Sequence, residues 1–231
     1  MEWALANMGQ IFSLGGYHLV QAVVPLVLSV AIAIPLAQLA RLNKGLAAFI
    51  LSLGSVLYTV PSLALFVILP VVLGTKILDF ANIIVALTIY AVALLVRSTL
   101  DALNSVDEGI RQAATAMGFK PLQRFLSVDL PLSVPVLFAG LRVISVSNIS
   151  LVTVGALLGI PSFGFFFTDG LQRNFLTEIM VGILGTLVLA VLMDVVLVLL
   201  QRVLTPWLHT AKIQANDAIP LPESAAKGVS A

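Results

Sequence analysis

Four long stretches of the chain contain no charged residue. Asp, Glu, Lys and Arg are absent from residues 3–40, 45–75, 80–96 and 143–168. A helix that crosses a bilayer needs about 17 to 25 mostly apolar residues, and each stretch meets that requirement. The mean hydropathy of +1.11 agrees, as does a charged fraction of 10%, because a soluble domain has about a quarter of its residues charged. The sequence therefore predicts an all-α integral membrane protein.

Five transmembrane helices are predicted, and the second is the ambiguous one. It would measure about 42 Å as a straight helix, longer than a hydrocarbon core of about 30 Å, but it is too short for two helices and a hairpin. Pro61 and Pro70 lie inside it, and proline kinks a helix. We therefore interpret it as one tilted, kinked span. The spans lie near residues 18–40, 46–73, 80–96, 132–159 and 176–201.

The distribution of basic residues predicts the orientation. With the N-terminus outside and the C-terminus inside, nine lysines and arginines fall on the inner side and two, Lys76 and Arg173, on the outer side. This inside-positive bias is typical of membrane proteins. Residues 1–17 then form an external segment and residues 98–131 a cytoplasmic loop. Residues 208–231 are polar with two prolines, which predicts a disordered cytoplasmic tail.

Composition also excludes several classes of function. The chain has no cysteine, so a disulfide, a thiolate metal site or a cysteine nucleophile is impossible. His18 and His209 lie at opposite ends of the chain, which argues against a metal site built on them. A net charge of +1 argues against nucleic acid as a partner. Because no Walker motif occurs, we expect no catalytic residue and no cofactor-binding residue in this chain.

The polar loop 98–131 has the signals of two short amphipathic helices joined by a sharp turn. Ser105 and Glu108 have the spacing of a capping box at the start of the first helix. Gly118 stands where a left-handed residue ends a helix. Pro121 can open the second helix, and Pro131 repeats that device at the start of the fourth span.

Two interpretations of this helix pair remain open at this point. Helices that lie on a membrane surface usually have bulky apolar residues opposite a basic face. The first helix here is faced partly with alanine, which suits close packing in a protein groove. Its predicted apolar face consists of Val106, Ile110, Ala113, Ala114 and Met117.

The spacing of this loop resembles the "EAA" signature of ABC importer permeases. That signature reads Glu-Ala-Ala, three residues, Gly, nine residues, Ile, one residue, Leu-Pro. This chain has the same intervals with Gln112-Ala113-Ala114, Gly118, Val128 and Leu130-Pro131. Gln112 replaces the glutamate and Val128 the isoleucine. Gln112 lacks the charge with which the glutamate of the signature could contact a partner protein.

The resemblance extends over residues 18–207 and is to permeases of the glycine betaine/choline/carnitine/proline osmoprotectant importers. It is carried by "VPSLAL" at 60–65, "DEGIRQAATAMG" at 107–118, "LPLSVPVLFAGLR" at 130–142 and "TDGLQRN" at 168–174. The resemblance implies the type I importer permease fold in a bacterial cytoplasmic membrane. The implied partners are a second permease subunit, two cytoplasmic ATPase subunits that bind ATP and Mg, an external solute-binding protein and the lipid bilayer.

In this family the loop helix docks in a cleft of the ATPase and couples ATP-driven closure to opening and closing of the permease. The resemblance therefore assigns ATPase docking and coupling to Gln112, Ala113, Ala114, Met117, Gly118, Phe119, Leu130 and Pro131.

Two charges lie inside predicted spans. At 1.5 Å per residue, Arg142 lies about 16 Å from Pro131 and Asp194 about 12 Å from Arg202, so both enter from the same side. Charges inside a bilayer usually pair, which predicts an Arg142–Asp194 ion pair between the fourth and fifth spans. The alternative is that each side chain extends separately to the headgroups.

Two groups of residues are candidates for the translocation path. Phe163 and Phe165 lie in the glycine-rich segment 155–170 and could offer aromatic faces to a quaternary ammonium, although the sequence favours an interfacial aromatic anchor there. The second group lies at the kink of the second span, where a broken helix frees backbone carbonyls. It consists of Tyr58, Thr59, Pro61 and Ser62.

The sequence thus favours a non-catalytic permease subunit that takes up compatible solutes. A permease for another small amino acid or zwitterion is an alternative. A stand-alone secondary carrier or channel is less favoured, because no inverted repeat and no chain of intramembrane carboxylates is seen. A membrane scaffold without transport would not require the motif spacing.

Overall fold

The computed structural model describes residues 2–207, and this part of the chain is helical with no strand. The predicted tail 208–231 lies outside the described residues. The long helices are α2 (Met8–Ala40), α5 (Phe80–Asn104), α8 (Leu130–Val154) and α10 (Leu176–Leu204). The shorter ones are α1 (Glu2–Ala6), α3 (Lys44–Thr59), α4 (Ser62–Leu73), α6 (Glu108–Ala116), α7 (Pro121–Arg124) and α9 (Gly164–Gln172). A π-helical turn, Phe125–Asp129, joins α7 to α8, and a 3-10 turn, Gly155–Leu158, follows α8.

Among the described residues, four helical segments are long and apolar enough to cross a membrane, and the bent pair α3–α4 makes a fifth. The first of them begins at Met8 rather than near residue 18, because residues 8–17 carry no charge and continue the apolar stretch. The predicted external segment also folds back on the bundle: the Trp3 ring packs edge-on against Phe166 and Phe175, with centroids 6.2 and 5.6 Å apart.

The second span breaks at Pro61, where a kink is predicted, but the bend is much sharper than a proline kink. The axes of α3 and α4 differ by 103°. Val60 is extended, with φ −64° and ψ 129°, because proline disfavours the helical conformation in the residue before it. Pro70 lies inside α4 without ending it. The Tyr90 hydroxyl of α5 donates a hydrogen bond of 2.5 Å to the Val60 carbonyl, which the break would otherwise leave unpaired.

Helix α5 forms the centre of the bundle and packs against α2, α3, α4 and α8. Its side chains Ile83, Leu87, Leu95 and Leu103 are completely buried. Helix α10 lies at the periphery: within its described range Leu176–Leu204 only Glu178, Gly182 and Leu197 are buried. The bundle of this chain therefore has its core around α5 and presents α10 outwards.

Gly164, at the start of α9, permits the closest backbone approach in the segment after α8. A Cβ atom on this residue would lie 2.1 Å from the Thr153 carbonyl oxygen and 2.7 Å from the Ala156 Cβ. We expect Gly164→Ala to cost about 1–3 kcal/mol of stability, since the backbone must shift to relieve such overpacking. Thermal unfolding in detergent measures the loss. Gly16→Ala is the matched control, because nothing lies within 4 Å of its added Cβ, and an unchanged unfolding temperature in Gly164→Ala would contradict the prediction.

Candidate functional site

Helix α6 begins with an aspartate cap rather than the predicted capping box. The Asp107 carboxylate accepts hydrogen bonds from the backbone N–H groups of Gly109 at 2.7 Å and Ile110 at 3.3 Å. Ser105 instead ends α5, where its hydroxyl donates to the Ala102 carbonyl at 2.7 Å. The capping-box prediction for Ser105 and Glu108 is therefore wrong, because Asp107 lies closer to the free N–H groups and its carboxylate accepts from two of them.

Helix α6 ends at Gly118 in the left-handed conformation, with φ +88°, as predicted. The Phe119 N–H donates to the Ala114 carbonyl at 3.2 Å, which is the hydrogen bond of a Schellman motif. This motif satisfies the last carbonyls of α6 and turns the chain sharply towards Pro121. The turn is thereby held by backbone hydrogen bonds.

The segment after the turn differs from the prediction. Pro121 opens α7, but α7 continues through the π-helical turn into α8, so the fourth span does not restart at Pro131. A proline inside an α-helix clashes with the carbonyl four residues earlier. The π-helical turn, in which the Leu130 N–H donates to the Phe125 carbonyl, widens the helix just before Pro131 and so lets it continue.

The predicted docking residues divide into an exposed and a covered group. Gln112, Ala113, Met117 and Gly118 are exposed, and Met117 retains 71% of its accessible surface. Phe119 is half-buried. Ala114 is buried, and Leu130 and Pro131 are half-buried in the first turn of α8. A partner protein therefore has access to the α6 face and the Gly118 turn, whereas Ala114, Leu130 and Pro131 serve the internal packing.

A buried carboxylate that the sequence analysis did not single out lies directly behind this turn. Asp129 retains 1% of its side-chain surface and contacts three arginines. Its Oδ2 atom lies 3.2 Å from Arg41 Nη1 and 3.9 Å from Arg124 Nε, and its Oδ1 atom lies 3.3 Å from Arg111 Nε. The three arginines come from the end of α2, from α6 and from α7. We call this group the Asp129 cluster; no sequence spacing links its members, which are up to 88 residues apart.

Arg142 and Asp194 lie in contact between α8 and α10. Arg142 donates from Nε to Asp194 Oδ1 at 2.5 Å and from Nη2 to Oδ2 at 2.8 Å. The two side chains thus meet in a bidentate pair rather than extending separately to the headgroups. They retain 42% and 35% of their surface, so the pair lies on the outer side of the bundle of this chain and not in its interior.

The aromatic candidates for the translocation path are not arranged as predicted. Phe163 retains 5% of its surface, and its ring lies 5.4 Å from His18 and 6.1 Å from Phe166 between centroids. Neither face of Phe163 is therefore open to a cation, which is a correction of its assigned role. Phe165 is half-buried and packs edge-on against Phe166 at 6.0 Å.

The candidates at the break of the second span do lie together. Tyr58 retains 45% of its surface and its ring packs edge-on against Tyr90 at 5.8 Å. Thr59 donates its hydroxyl to the Val56 carbonyl at 2.7 Å. Pro61 is exposed and Ser62 is half-buried. An open cavity of about 250 Å³ lies beside Tyr58 and is lined by Leu51, Gly54, Ser55, Ala93, Leu94 and Arg97.

A second polar network that the sequence analysis missed holds the glycine-rich segment. His18 Nδ1 accepts a hydrogen bond from the Phe163 N–H at 3.3 Å, so its Nε2 carries the proton and donates to the Ile149 carbonyl at 3.0 Å. Gln21 donates to the Pro161 carbonyl at 2.7 Å. Both side chains are fully buried. The sequence signal that could have revealed this network is the presence of two polar residues, His18 and Gln21, in an otherwise apolar span.

Comparison with known proteins identifies the family. Residues 27–210 match the family described as binding-protein-dependent transport system inner membrane component. The chain belongs to this family. It is 32% identical over 209 residues to the osmoprotectant import permease protein OsmW of Salmonella typhimurium, covering 89% of this chain and 97% of that protein. It is 28% identical to the choline transport system permease protein OpuBB of Bacillus subtilis, covering 89% and 94%.

The fold is also that of a solved importer. The chain superposes on an inward-facing structure of the MetNI methionine ABC transporter with a TM-score of 0.73 and 20% identity, covering 87% of this chain and 98% of that chain. The predicted type I permease fold is confirmed. This chain is a multi-pass inner membrane protein and a non-catalytic permease subunit of an ABC importer. Permeases of this family work with an ATPase and a solute-binding protein.

We expect Gly118→Val to reduce solute-stimulated ATP hydrolysis of the assembled importer, because a β-branched residue is strained at positive φ and the turn must reorganise. Gly74→Val is the matched control: Gly74 also ends a helix in the left-handed conformation, with φ +67° and no atom within 4 Å of an added Cβ, but it lies at the opposite end of the bundle. Equal losses of stimulation in the two variants would contradict a specific role for the Gly118 turn.

We expect Arg142→Ala and Asp194→Ala each to lower the yield of folded protein, because each leaves an unpaired charge in a membrane-spanning helix. The charge-exchanged double variant, Arg142→Asp with Asp194→Arg, should recover part of that yield in size-exclusion chromatography. Arg202→Ala is the control, since Arg202 is an exposed residue in the last turn of the same helix α10 and its removal leaves no buried charge without a partner. A double variant no better than the single ones would argue against the pair.

Proposed function

We propose that this chain is the membrane subunit through which a bacterial importer takes up compatible solutes such as glycine betaine, choline, carnitine or proline betaine. The two relatives described above are named as an osmoprotectant import permease and a choline transport permease. A further relative, 28% identical over 211 residues, is the glycine betaine/carnitine/choline transport system permease protein OpuCD of Bacillus subtilis, and these names support the substrate class. The sequence segments that resemble osmoprotectant permeases are part of this similarity. An external solute-binding protein delivers the solute.

The observation that carries the mechanism is the exposed, rigidly closed turn at the end of α6. Gln112, Ala113, Met117 and Gly118 form an accessible face, and the Schellman motif holds its shape. A segment that transmits force must keep its shape under load. We therefore propose that this face docks on a cytoplasmic ATPase, which binds ATP and Mg and whose closure moves α6.

The assembly we propose contains two permease subunits, identical or different, and two ATPase subunits. The N-terminus lies outside and the C-terminus inside, so that α6 faces the cytoplasm. The excess of basic residues on that side supports this orientation. The outward-facing apolar surface of α10 is available to lipid or to the second permease subunit.

We place the translocation path at the corner between α3 and α4. Tyr58 presents an aromatic face, and aromatic faces attract quaternary ammonium groups. Thr59, Pro61 and Ser62 complete the corner. A sharply broken helix is tolerated inside a membrane where it is buried in protein or lines a water-filled cavity, which supports this placement.

The test is reconstitution of the purified chain in proteoliposomes with its ATPase and binding protein. We expect the ATPase to co-purify, and the rate of ATP hydrolysis to rise with one or more of glycine betaine, choline, carnitine and proline betaine. Methionine and glutamate serve as control solutes, because neither carries a quaternary ammonium group. Solute uptake by this chain alone, without ATP, would identify a carrier instead. Stimulation by the control solutes only would contradict the substrate class.

A further inference from the structure

We propose that Asp129 is a positioning residue that joins the α6 segment to the membrane-spanning helices, so that movement of α6 moves α2 and α8. This inference rests on the proposed function. It concerns a residue outside the docking face and outside the translocation path, and it is carried by the geometry of the Asp129 cluster.

The first observation is how little apolar surface attaches α6 to the bundle. In the described range Glu108–Ala116, Ala114 alone is buried. A helix with one buried alanine cannot be held by hydrophobic packing, because burial of so small a side chain contributes little free energy. The attachment of α6 must therefore depend on polar contacts.

The second observation is that Arg111 supplies those contacts. Its side chain, 12% exposed, reaches from α6 into the bundle, where Nη2 donates to the Leu103 carbonyl in the last turn of α5 and Nε lies 3.3 Å from Asp129 Oδ1. A second link runs from Thr115 to Arg124 on α7, at 3.1 Å between Oγ1 and Nη1. Arg124 in turn approaches Asp129. Both routes from α6 thus end at the same carboxylate.

The third observation is that Asp129 also holds α2. Arg41, the residue that ends α2, places Nη1 3.2 Å from Asp129 Oδ2. Asp129 itself is the last residue of the π-helical turn that leads into α8. One buried side chain therefore connects α6, α7, the end of α2 and the start of α8. Such π-helical turns occur frequently at functional sites.

The charges explain why the attachment of α6 to the bundle depends on Asp129 in particular. Three guanidinium groups surround one carboxylate, and the other acidic partner of the cluster, Glu108, is 68% exposed. Removal of a buried ion leaves its partners uncompensated. Without the Asp129 charge the three guanidiniums repel one another, and the elements that carry them separate.

The test compares Asp129→Asn, which keeps the shape but removes the charge, with Asp129→Glu, which keeps the charge. In the reconstituted importer we expect Asp129→Asn to hydrolyse ATP but to transport about tenfold less solute per ATP, within the range typical of coupling between sites. Asp129→Glu should lose less than Asp129→Asn. Asp101→Asn is the matched control, because Asp101 is exposed on α5 near the same end of the bundle.

A second measurement works even where the variant assembles poorly or the ATPase is absent. The chain has no native cysteine, so spin labels at Ala116→Cys and Val143→Cys report the distance between the last turn of α6 and the middle of α8. Both positions are exposed. We expect a narrow distance distribution in the otherwise unchanged chain and with Asp101→Asn, and a broader one with Asp129→Asn.

Each outcome has a definite meaning. A broadened distance distribution together with less solute transported per ATP supports the role of Asp129 in attaching α6. An unchanged distance distribution overturns the proposal, and so does a transport rate per ATP equal to that of the unchanged chain. A loss of transport that is proportional to the loss of folded protein also overturns it. If the unchanged chain shows no ATP-dependent transport, the proposed function fails, whereas the spin-label distances still decide whether Asp129 positions α6.

Discussion

The structure depends on one constraint: inside a bilayer, each backbone N–H and C=O group must find a partner within the protein. The long helices satisfy this internally, and the breaks between helices do not. At these breaks a buried polar side chain from another helix therefore forms a hydrogen bond with the backbone. Tyr90 donates to the Val60 carbonyl at the α3–α4 corner, Gln21 donates to the Pro161 carbonyl, and His18 accepts from the Phe163 N–H. These contacts allow irregular backbone inside the bundle.

A second kind of interaction acts at the end of the bundle that carries α6. There the apolar core ends with Ala37, Ala40, Leu103 and Phe125, and α6 is attached by ion pairs and hydrogen bonds. Ion pairs depend on distance and geometry and can hold elements that bury little surface. The result is a segment that is exposed enough to dock on a partner protein and still connected to two membrane-spanning helices. This combination is what a permease needs to receive energy released in another subunit.

Local signals predicted a good part of the structure. Gly118 takes the left-handed conformation and Pro121 opens a helix, because both effects depend on a single residue and its neighbours. Arg142 and Asp194 meet because charges in adjacent spans at similar depth have few other partners. Ser105 and Glu108 do not form a capping box, because Asp107 competes for the same N–H groups. Phe163 is buried because Gly15 and Gly185 leave room for its ring, and no local pattern reveals such a fit.

The sequence by itself determined that this protein spans a membrane and that a polar segment with an importer's spacing lies between its spans, because hydropathy and helix ends are local properties. Only the tertiary structure decided that the second span turns by 103°. It also decided that Asp129 gathers three arginines and that Phe163 is covered. The physical reason is that these features depend on which helices lie next to one another. Residues such as Arg41 and Asp129, 88 positions apart, become partners only when the helices pack.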